Sequence, residues 1–323
     1  MQAMPILGVV VAALSANAHA ADSYPSRAIR MLVPYAVGGN ADIMARAVSQ
    51  RLTDRMGQQI VVDNRPGAAG MIATELAARS APDGYTMVAI SSSHTVNPSL
   101  LKKMPYDSLK DFAPVSQIGV TPMLVVAHPS VTAGTIKELI ALAKAKPGQL
   151  NFGSNGNGSP ANLAGLLLNS MSGITLTHVG YKGTAQATTD VLAGHIQLGF
   201  PSLTSVMPLV RTGKLKALAI TTAKRSALAP DIPTVAESGV PGYQTSIWVG
   251  ILLPSGTPAA IVDRVNRDVR HVLTSSDIPE KFAAMGADVL SNTPAEFTEL
   301  MKAEIAKWNR LIRDTGLKVD LAG

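Results

Sequence analysis

The sequence contains no cysteine among its 323 residues. Disulfide scaffolds, thiolate zinc sites, iron–sulfur clusters and cysteine nucleophiles are therefore excluded. Aromatic residues are scarce, with 2 Trp, 6 Tyr and 5 Phe, which argues against a stacking surface for single-stranded nucleic acid. Charged residues make up 15% of the chain, and its net charge of +6 is not gathered into a block. We predict no nucleic-acid partner. The positive charge fits an anionic small molecule, an anionic surface, or only a solvated surface with a basic average.

Long hydrophobic runs are also missing, and the clearest apolar run lies at the amino terminus. Residues 6–14 have the length of a signal-peptide core, and Ala18-His19-Ala20 forms an A-x-A cleavage site. Such a run is too short to cross a bilayer as a helix. We therefore expect residues 1–20 to be a signal peptide cleaved near Ala20, although its start has no Lys or Arg. The mature chain is predicted to be exported to a bacterial periplasm.

Strand-like apolar runs alternate with helical periodicity in two parts of the chain. The first series covers residues 29–90, and the second covers residues 122–221. Because such alternation is typical of parallel sheets with helical crossovers, we predict an α/β fold. A further strand over residues 247–253 and two helices, with Thr257 and Thr293 as N-caps, complete the chain.

Two α/β series of this length predict two lobes with a ligand cleft between them, since ligands favour such clefts and the carboxyl ends of strands. We place the lobe boundaries near Gly119 and Gly250. Lobe 1 would then comprise residues 21–119 and 251–323, and lobe 2 residues 120–250, so the chain would cross between the lobes twice. No internal repeat of fixed period is evident in the sequence.

Three loops lead from a predicted strand into a predicted helix. In the first, Gly38 and Gly39 let the backbone turn, and the helix start offers free N–H groups to a carboxylate or phosphate. Asp42 follows in the first turn of the helix. Its carboxylate would compete with an anion, hold a ligand ammonium or hydroxyl group, or only cap the helix.

The second loop, residues 153–160, is made of glycine and small polar donors. Its candidate ligand residues are Ser154, Asn155, Gly158 and Ser159. Residues 156–161 fit the G-x-G-x-x-A spacing of dinucleotide sites, but no acidic residue lies near position 180 to bind a ribose. A helix start that binds a carboxylate is therefore favoured over a dinucleotide site or an ordinary turn.

The third loop covers residues 179–185, again between a strand and a helix. Its candidate ligand residues are Tyr181, Lys182, Gly183 and Thr184. Thr184 offers a hydroxyl donor, and Lys182 either adds a positive field or is simply solvated. His94, which follows the third predicted strand, is a candidate donor in the cleft, or else a surface or capping histidine.

Catalytic and cofactor-binding motifs are absent from the sequence. It has no G-x-S-x-G nucleophile elbow, no G-x-x-x-x-G-K-[ST] loop and no H-E-x-x-H. The five histidines after the signal peptide show no metal-ligand spacing. We therefore predict no metal, no cofactor and no enzymatic activity, because anion-binding loops without a nucleophile are typical of a receptor.

Many short segments resemble one family of receptors. They are residues 24–27, 33–42, 45–46, 62–68, 81–85, 97–100, 105–107, 110–112, 156–159, 181–183, 231–235 and 254–258. Through them the chain resembles, over residues 24–320, the substrate-binding proteins of tripartite tricarboxylate transporters, called the Bordetella uptake gene family. Asn162, Leu166 and Gly180 depart from the His, Glu and Pro frequent there. The change at Asn162 favours a different ligand preference, and glycine at position 180 is expected to loosen the third loop.

The resemblance implies a two-lobed periplasmic-binding-protein fold of type II that closes around a carboxylated ligand. The first two loops would hold the carboxylate through backbone N–H groups and bridging waters, and the third loop would close the pocket. The resemblance also implies a monomer that docks onto a membrane permease of two components. A sensing module for a membrane signalling partner is the first alternative, and a periplasmic enzyme is the least favoured one.

Overall fold

The computed structural model describes residues 24–101 and 103–317 of the chain. The predicted signal peptide, residues 1–20, lies outside these residues. Among the helices in the described part, none is long and apolar enough to cross a membrane.

The described strands form two separate sheets. They are β1 (Ile29–Val33), β2 (Ile60–Asn64), β3 (Thr86–Ser91), β4 (Phe112–Thr121), β5 (Leu124–Ala127), β6 (Asn151–Ser154), β7 (Thr177–Gly180), β8 (Leu198–Gly199), β9 (Lys216–Ile220), β10 (Ile247–Pro254) and β11 (Asp288–Val289). The first sheet has the order β11-β4-β10-β3-β1-β2, and the second has the order β7-β6-β8-β5-β9. The predicted α/β fold with two lobes is confirmed, one sheet forming each lobe.

Both sheets follow the same plan. Each sheet contains a parallel group of three strands, in which the first strand lies between the second and third and is parallel to both. These groups are β1, β2 and β3 in lobe 1, and β6, β7 and β8 in lobe 2. An antiparallel strand lies beside the third one, β10 in lobe 1 and β5 in lobe 2. On its other side this antiparallel strand pairs with one more strand, which is β4 in lobe 1 and β9 in lobe 2. This shared order is the type II topology that the resemblance implied.

Helices cover both faces of each sheet. They are α1 (Asn40–Met56), α2 (Met71–Ala78), α3 (Ser93–Leu100), α4 (Ile136–Ala145), α5 (Pro160–Ser172), α6 (Thr184–Leu192), α7 (Leu203–Arg211), α8 (Ala259–Thr274), α9 (Ile278–Ala284) and α10 (Pro294–Thr315). Apolar clusters join α1 and α8 to one face of the first sheet, and α2 and α10 to the other. In lobe 2, α4 and α5 cover one face, and α6 and α7 the other.

Capping residues set where the two long carboxyl-terminal helices begin. Thr293 is the N-cap of α10, as predicted, and it forms a capping box with Glu296. Helix α8 begins one residue later than predicted, with Pro258 as its N-cap. The predicted cap, Thr257, instead donates its hydroxyl to the Pro254 carbonyl at 2.7 Å.

The chain passes between the lobes on two neighbouring strands. β4 leads from the first sheet directly towards β5, and β10 returns to the first sheet next to β4, with Ile247 paired to Thr121. The predicted boundary positions, Gly119 and Gly250, lie within these two strands. The boundaries themselves stay a prediction.

Helix α10 contacts the hydrophobic clusters of both lobes. Phe297 and Met301, near its start, pack with the first sheet. Trp308 and Leu311, near its end, pack with the lobe 2 cluster that contains α4 and α5. The last long helix therefore contacts both lobes, and its assignment to lobe 1 stays a prediction.

Candidate ligand-binding cleft

A cavity of about 460 Å³ lies between the two lobes. It is lined by Asn40, Met123, Asn155, Pro160, Ala161, Thr184, Ala185, Thr188, Phe200, Ser202, Ser205 and Ile247. A smaller cavity of about 100 Å³ shares the wall residues Pro160 and Ile247 with it. The larger volume falls within the range usual for small-molecule sites.

Helices α1, α5, α6 and α7 all begin at the larger cavity. The first N–H groups of a helix have no partner within the helix, and its dipole gives them a partial positive charge. No Lys, Arg, Asp or Glu is among the residues that line this cavity. Its polarity therefore comes from amide and hydroxyl groups, an arrangement that suits an anion held without a cationic side chain.

Asp42 holds the first predicted loop together from within. Its Oδ2 accepts the Gly38 N–H at 2.9 Å, and its Oδ1 accepts Arg46 Nε at 2.9 Å and Asn64 Nδ2 at 2.8 Å. Burial raises the pKa of Asp42, but these hydrogen bonds outweigh burial and hold the pKa below its usual value. With 1% exposure, Asp42 shapes the loop, while Gly38 and Gly39 stay exposed.

The second loop has the same design, with Asn162 in the place of Asp42. The Gly158 N–H donates to Asn162 Oδ1 at 3.0 Å, as that of Gly38 does to Asp42. Ser159 caps α5 by accepting the Asn162 N–H at 3.3 Å. Asn162 is 1% exposed, and its Nδ2 has no hydrogen-bond partner among the described residues.

Ser154 and Asn155 are neighbours in the chain, but only Asn155 lines the cavity. The Ser154 hydroxyl is buried, donates to the Gly156 carbonyl at 3.1 Å and lies 2.7 Å from His178 Nε2. Burial lowers the pKa of His178. The Ser154 hydroxyl is therefore used within lobe 2, whereas Asn155 is exposed and lines the cavity.

The third loop brings Thr184 to the cavity and is fixed by Tyr181. The Tyr181 hydroxyl donates to Asp190 Oδ2 at 2.7 Å. Burial and this carboxylate raise the pKa of Tyr181 to about 12. Gly183 is the N-cap of α6 in extended conformation. Lys182 is exposed to solvent and is not among the residues that line the cavity.

His94 lies in the packing of lobe 1. Its Nε2 is 2.9 Å from the Ser108 carbonyl, and its ring stacks on Tyr106 and meets Phe112 edge to face. Burial lowers the pKa of His94 to about 4, so the ring is neutral near pH 7. Ser93, the first residue of the same helix, lines the smaller cavity instead.

The sequence did not predict that α7 begins at the cleft. The helix starts at Leu203, with Ser202 as its N-cap. Ser202 and Ser205 line the cavity, and the Ser205 hydroxyl donates to the Ser202 carbonyl at 2.7 Å. Leu203 stands three residues before Val206 and continues the helical spacing, but Pro208 inside the helix obscured the pattern.

Two lobes of one topology around a shared cavity define a two-lobed solute-binding protein. Residues 44–317 match the model of the tripartite tricarboxylate transporter family receptors, and the chain belongs to that family. It is a solute-binding receptor, which confirms the prediction from its motifs. Protein BugT of Bordetella pertussis is 37% identical over 319 residues, which cover 98% of each chain.

Solved structures of similar chains share the fold. That of Rpa4515 from R. palustris with adipate has a TM-score of 0.71 and 34% identity, and covers 91% of this chain and 99% of its own. A TctC solute-binding protein from Polaromonas without ligand has a TM-score of 0.82 and 27% identity, and covers 90% of this chain and 100% of its own. The less similar sequence thus has the more similar overall shape.

Proposed function

We propose that this receptor captures a small organic carboxylate in the cleft and delivers it to the membrane permease of a tripartite tricarboxylate transporter. The observation that carries the proposal is the convergence of four helix starts on a cavity without charged side chains. Backbone N–H groups at such starts bind carboxylates well. Adipate, seen with Rpa4515, belongs to this ligand class.

The cavity wall suggests how the ligand is placed. The free N–H groups at the starts of α1 and α5 would hold the carboxylate, with Gly38, Gly39, Gly158 and Ser159 shaping the two loops. The apolar side chains of Met123, Phe200 and Ile247 would cover the body of the ligand. The hydroxyls of Thr184, Thr188, Ser202 and Ser205 would contact its remaining polar groups.

We further propose that the lobes move relative to each other on binding. The greater likeness to the ligand-free Polaromonas protein than to the adipate-bound one supports an open arrangement of the lobes here. A ligand that contacts both lobes binds the closed arrangement better and therefore shifts the population towards it.

We also propose where the mature protein begins, where it acts, how its lobes are divided and what it contacts. The mature protein would begin at Ala21, act as a monomer in the periplasm and catalyse no reaction. Its lobes would be residues 21–119 with 251–323, and residues 120–250. The two-component permease would contact the closed form of both lobes.

A thermal-shift screen of residues 21–323 tests the ligand class. Carboxylates with one to three acid groups, aromatic acids and amino acids would each be compared with their amides. A ligand at about 100 times its Kd stabilises the fold by about 2.7 kcal/mol, which raises the Tm by a few degrees. We expect the amide to bind measurably but more weakly, and therefore to give a smaller shift than its carboxylate. Equal shifts with the carboxylate and its amide would contradict the proposal.

Two neighbouring threonines on α6 provide a matched pair for this screen. Thr188 lines the cavity, whereas Thr189 is exposed and is not among its lining residues, and each donates its hydroxyl to a carbonyl one turn earlier. Thr188→Trp should fill the cavity and abolish the carboxylate shift. Thr189→Trp should keep it. An equal response of the two variants would mean that the ligand binds elsewhere.

A further inference from the structure

The first two binding loops are copies of one design, 120 residues apart. Gly38 and Gly158 both have positive φ, of 81° and 75°. The residue after each is an extended N-cap, Gly39 or Ser159, whose N–H donates to the carbonyl three residues earlier. Asp42 and Asn162 then accept the glycine N–H at matching distances.

The surroundings of the two loops also correspond. Asn64 is paired with the last residue of β1, and Gly180 is paired with the last residue of β6, so Gly180 takes the place of Asn64. One helical turn beyond Asp42 stands Arg46, and one turn beyond Asn162 stands Leu166. Lobe 2 therefore has neither of the side-chain partners that Asp42 has in lobe 1.

This difference changes the charge at the two helix starts. A carboxylate in the first turn compensates the positive end of the helix dipole, and Asp42 does so for α1. No acidic residue lies in the first turn of α5. The positive end of α5 is therefore uncompensated, and the buried Asn162 amide keeps an unused N–H₂ beside it.

We propose that Asn162 determines which ligand charge the receptor accepts. Because this side chain is neutral, the start of α5 is the main binding site for the ligand carboxylate. The ligand then rests on lobe 2, and lobe 1 closes over it. The lining of the cavity supports binding to lobe 2 first, because ten of its twelve residues lie between Met123 and Ser205, in that lobe. This inference rests on the proposed function and adds the orientation of the ligand.

The test is the near-isosteric variant Asn162→Asp, studied by calorimetry with a carboxylate that binds the wild-type protein and with its amide. Asn162 is not itself among the lining residues, but its neighbours Pro160 and Ala161 are. A carboxylate at position 162 would therefore lie beside the helix start and repel that of the ligand, since like charges oppose binding. We expect the affinity for the carboxylate to fall about tenfold or more. The affinity for the amide should change much less, which a merely structural defect would not produce.

The mirror variant Asp42→Asn serves as the comparison. It removes the carboxylate from the start of α1, and we expect the affinity for the carboxylate ligand to rise by about two- to fivefold. If both variants weaken carboxylate and amide binding alike, the two residues only support their loops and the inference is wrong. A wild-type protein that binds no carboxylate would instead refute the proposed function.

A third variant keeps the test decisive if Asn162→Asp does not fold. Asn162→Asp with Leu166→Arg rebuilds in lobe 2 the pair that Asp42 forms with Arg46 in lobe 1, where Nε and Oδ1 are 2.9 Å apart. Once its melting curve shows a folded protein, the same selective loss of carboxylate binding is expected. Retained preference for the carboxylate over the amide would overturn the inference.

Discussion

At the scale of single residues, the polar side chains around the cleft are mostly bonded to their own lobe. Asp42 bonds to Gly38, and Tyr181 to Asp190, at distances below 3 Å. A buried polar group without a partner costs about 1–3 kcal/mol, so these bonds stabilise each loop before a ligand arrives. The proposed function assigns the backbone N–H groups at the helix starts to the ligand.

His94 makes the stability of the protein depend on pH. Burial lowers its pKa to about 4, whereas the unfolded chain has the ordinary pKa of about 6.5. Between these values the unfolded chain binds a proton that the folded protein does not. The free energy of unfolding should therefore fall as the pH decreases from about 6.5 to about 4, by up to about 1.4 kcal/mol per unit.

Urea denaturation at several pH values between neutral and about 5 measures this slope. His94→Gln should lower stability at neutral pH, because the ring packs on Tyr106 and Phe112. It should also flatten the slope. His271→Gln, at an exposed position, is the control and should leave the slope unchanged. Equal slopes for His94→Gln and the wild-type protein would contradict the assignment.

At the scale of elements, α5 lies so close to β6 that its middle admits only glycine. A Cβ at Gly165 would lie 2.3 Å from Phe152 Cε2, inside any normal contact distance. We expect Gly165→Ala to lower the free energy of unfolding by about 1–3 kcal/mol, because overpacking outweighs the helix propensity of alanine. Urea denaturation measures the loss.

Gly183→Ala is the control for this substitution. Its backbone is extended, with φ of −161°, and a Cβ there would meet no atom within 4 Å. Because Gly183 is the N-cap of α6, where alanine is less favourable than glycine, the control should cost less than about 1 kcal/mol. A Gly165→Ala variant as stable as this control would mean that α5 and β6 have room to separate.

Elements with a regular apolar pattern could be predicted, and those that rely on distant partners could not. The strands of the first series and the helix after β1 followed directly from their apolar spacing. Residues 91–121 contain α3, with Pro98 inside it, and β4, which buries the polar Ser116 and Gln117. Asn292 bonds to the Gln117 backbone from 175 residues away, a partner that no local pattern reveals.

The candidate site was predictable to a similar extent. Glycines and the sequence Ser159-Pro160 at the predicted helix starts indicated the first two loops. Their common design could not be read from the sequence, because residues 36–46 and 156–166 share only a glycine and an alanine at equivalent positions. Only the backbone geometry makes Asn162 the counterpart of Asp42.

At the scale of the whole molecule, a close contact crosses between the lobes. Gly286 precedes β11 in lobe 1, and a Cβ there would lie 2.0 Å from Thr204 Cγ2 at the start of α7 in lobe 2. Gly286→Ala should push α7 away from lobe 1 and from the cavity. We expect a larger radius of gyration by X-ray scattering and a ligand affinity lower by about fivefold or more.

Gly213→Ala separates this effect from backbone strain. Gly213 has a φ of 70°, close to the 77° of Gly286, and a Cβ there would meet no atom within 4 Å. Both variants should lose stability from the left-handed backbone. Only Gly286→Ala should alter scattering and affinity, and identical behaviour of the two would show that the contact does not set the position of the lobes.

The pairing of Ile247 with Thr121 has a practical consequence for protein engineering. The whole second sheet is encoded by one uninterrupted stretch, whose two ends leave the first sheet as neighbours about 5 Å apart. Chimeras between relatives can therefore be made by exchanging a single gene cassette through two adjacent junctions. Since this cassette supplies most of the cavity wall, the chimera should inherit the ligand preference of its donor, while the recipient keeps the rest of the scaffold.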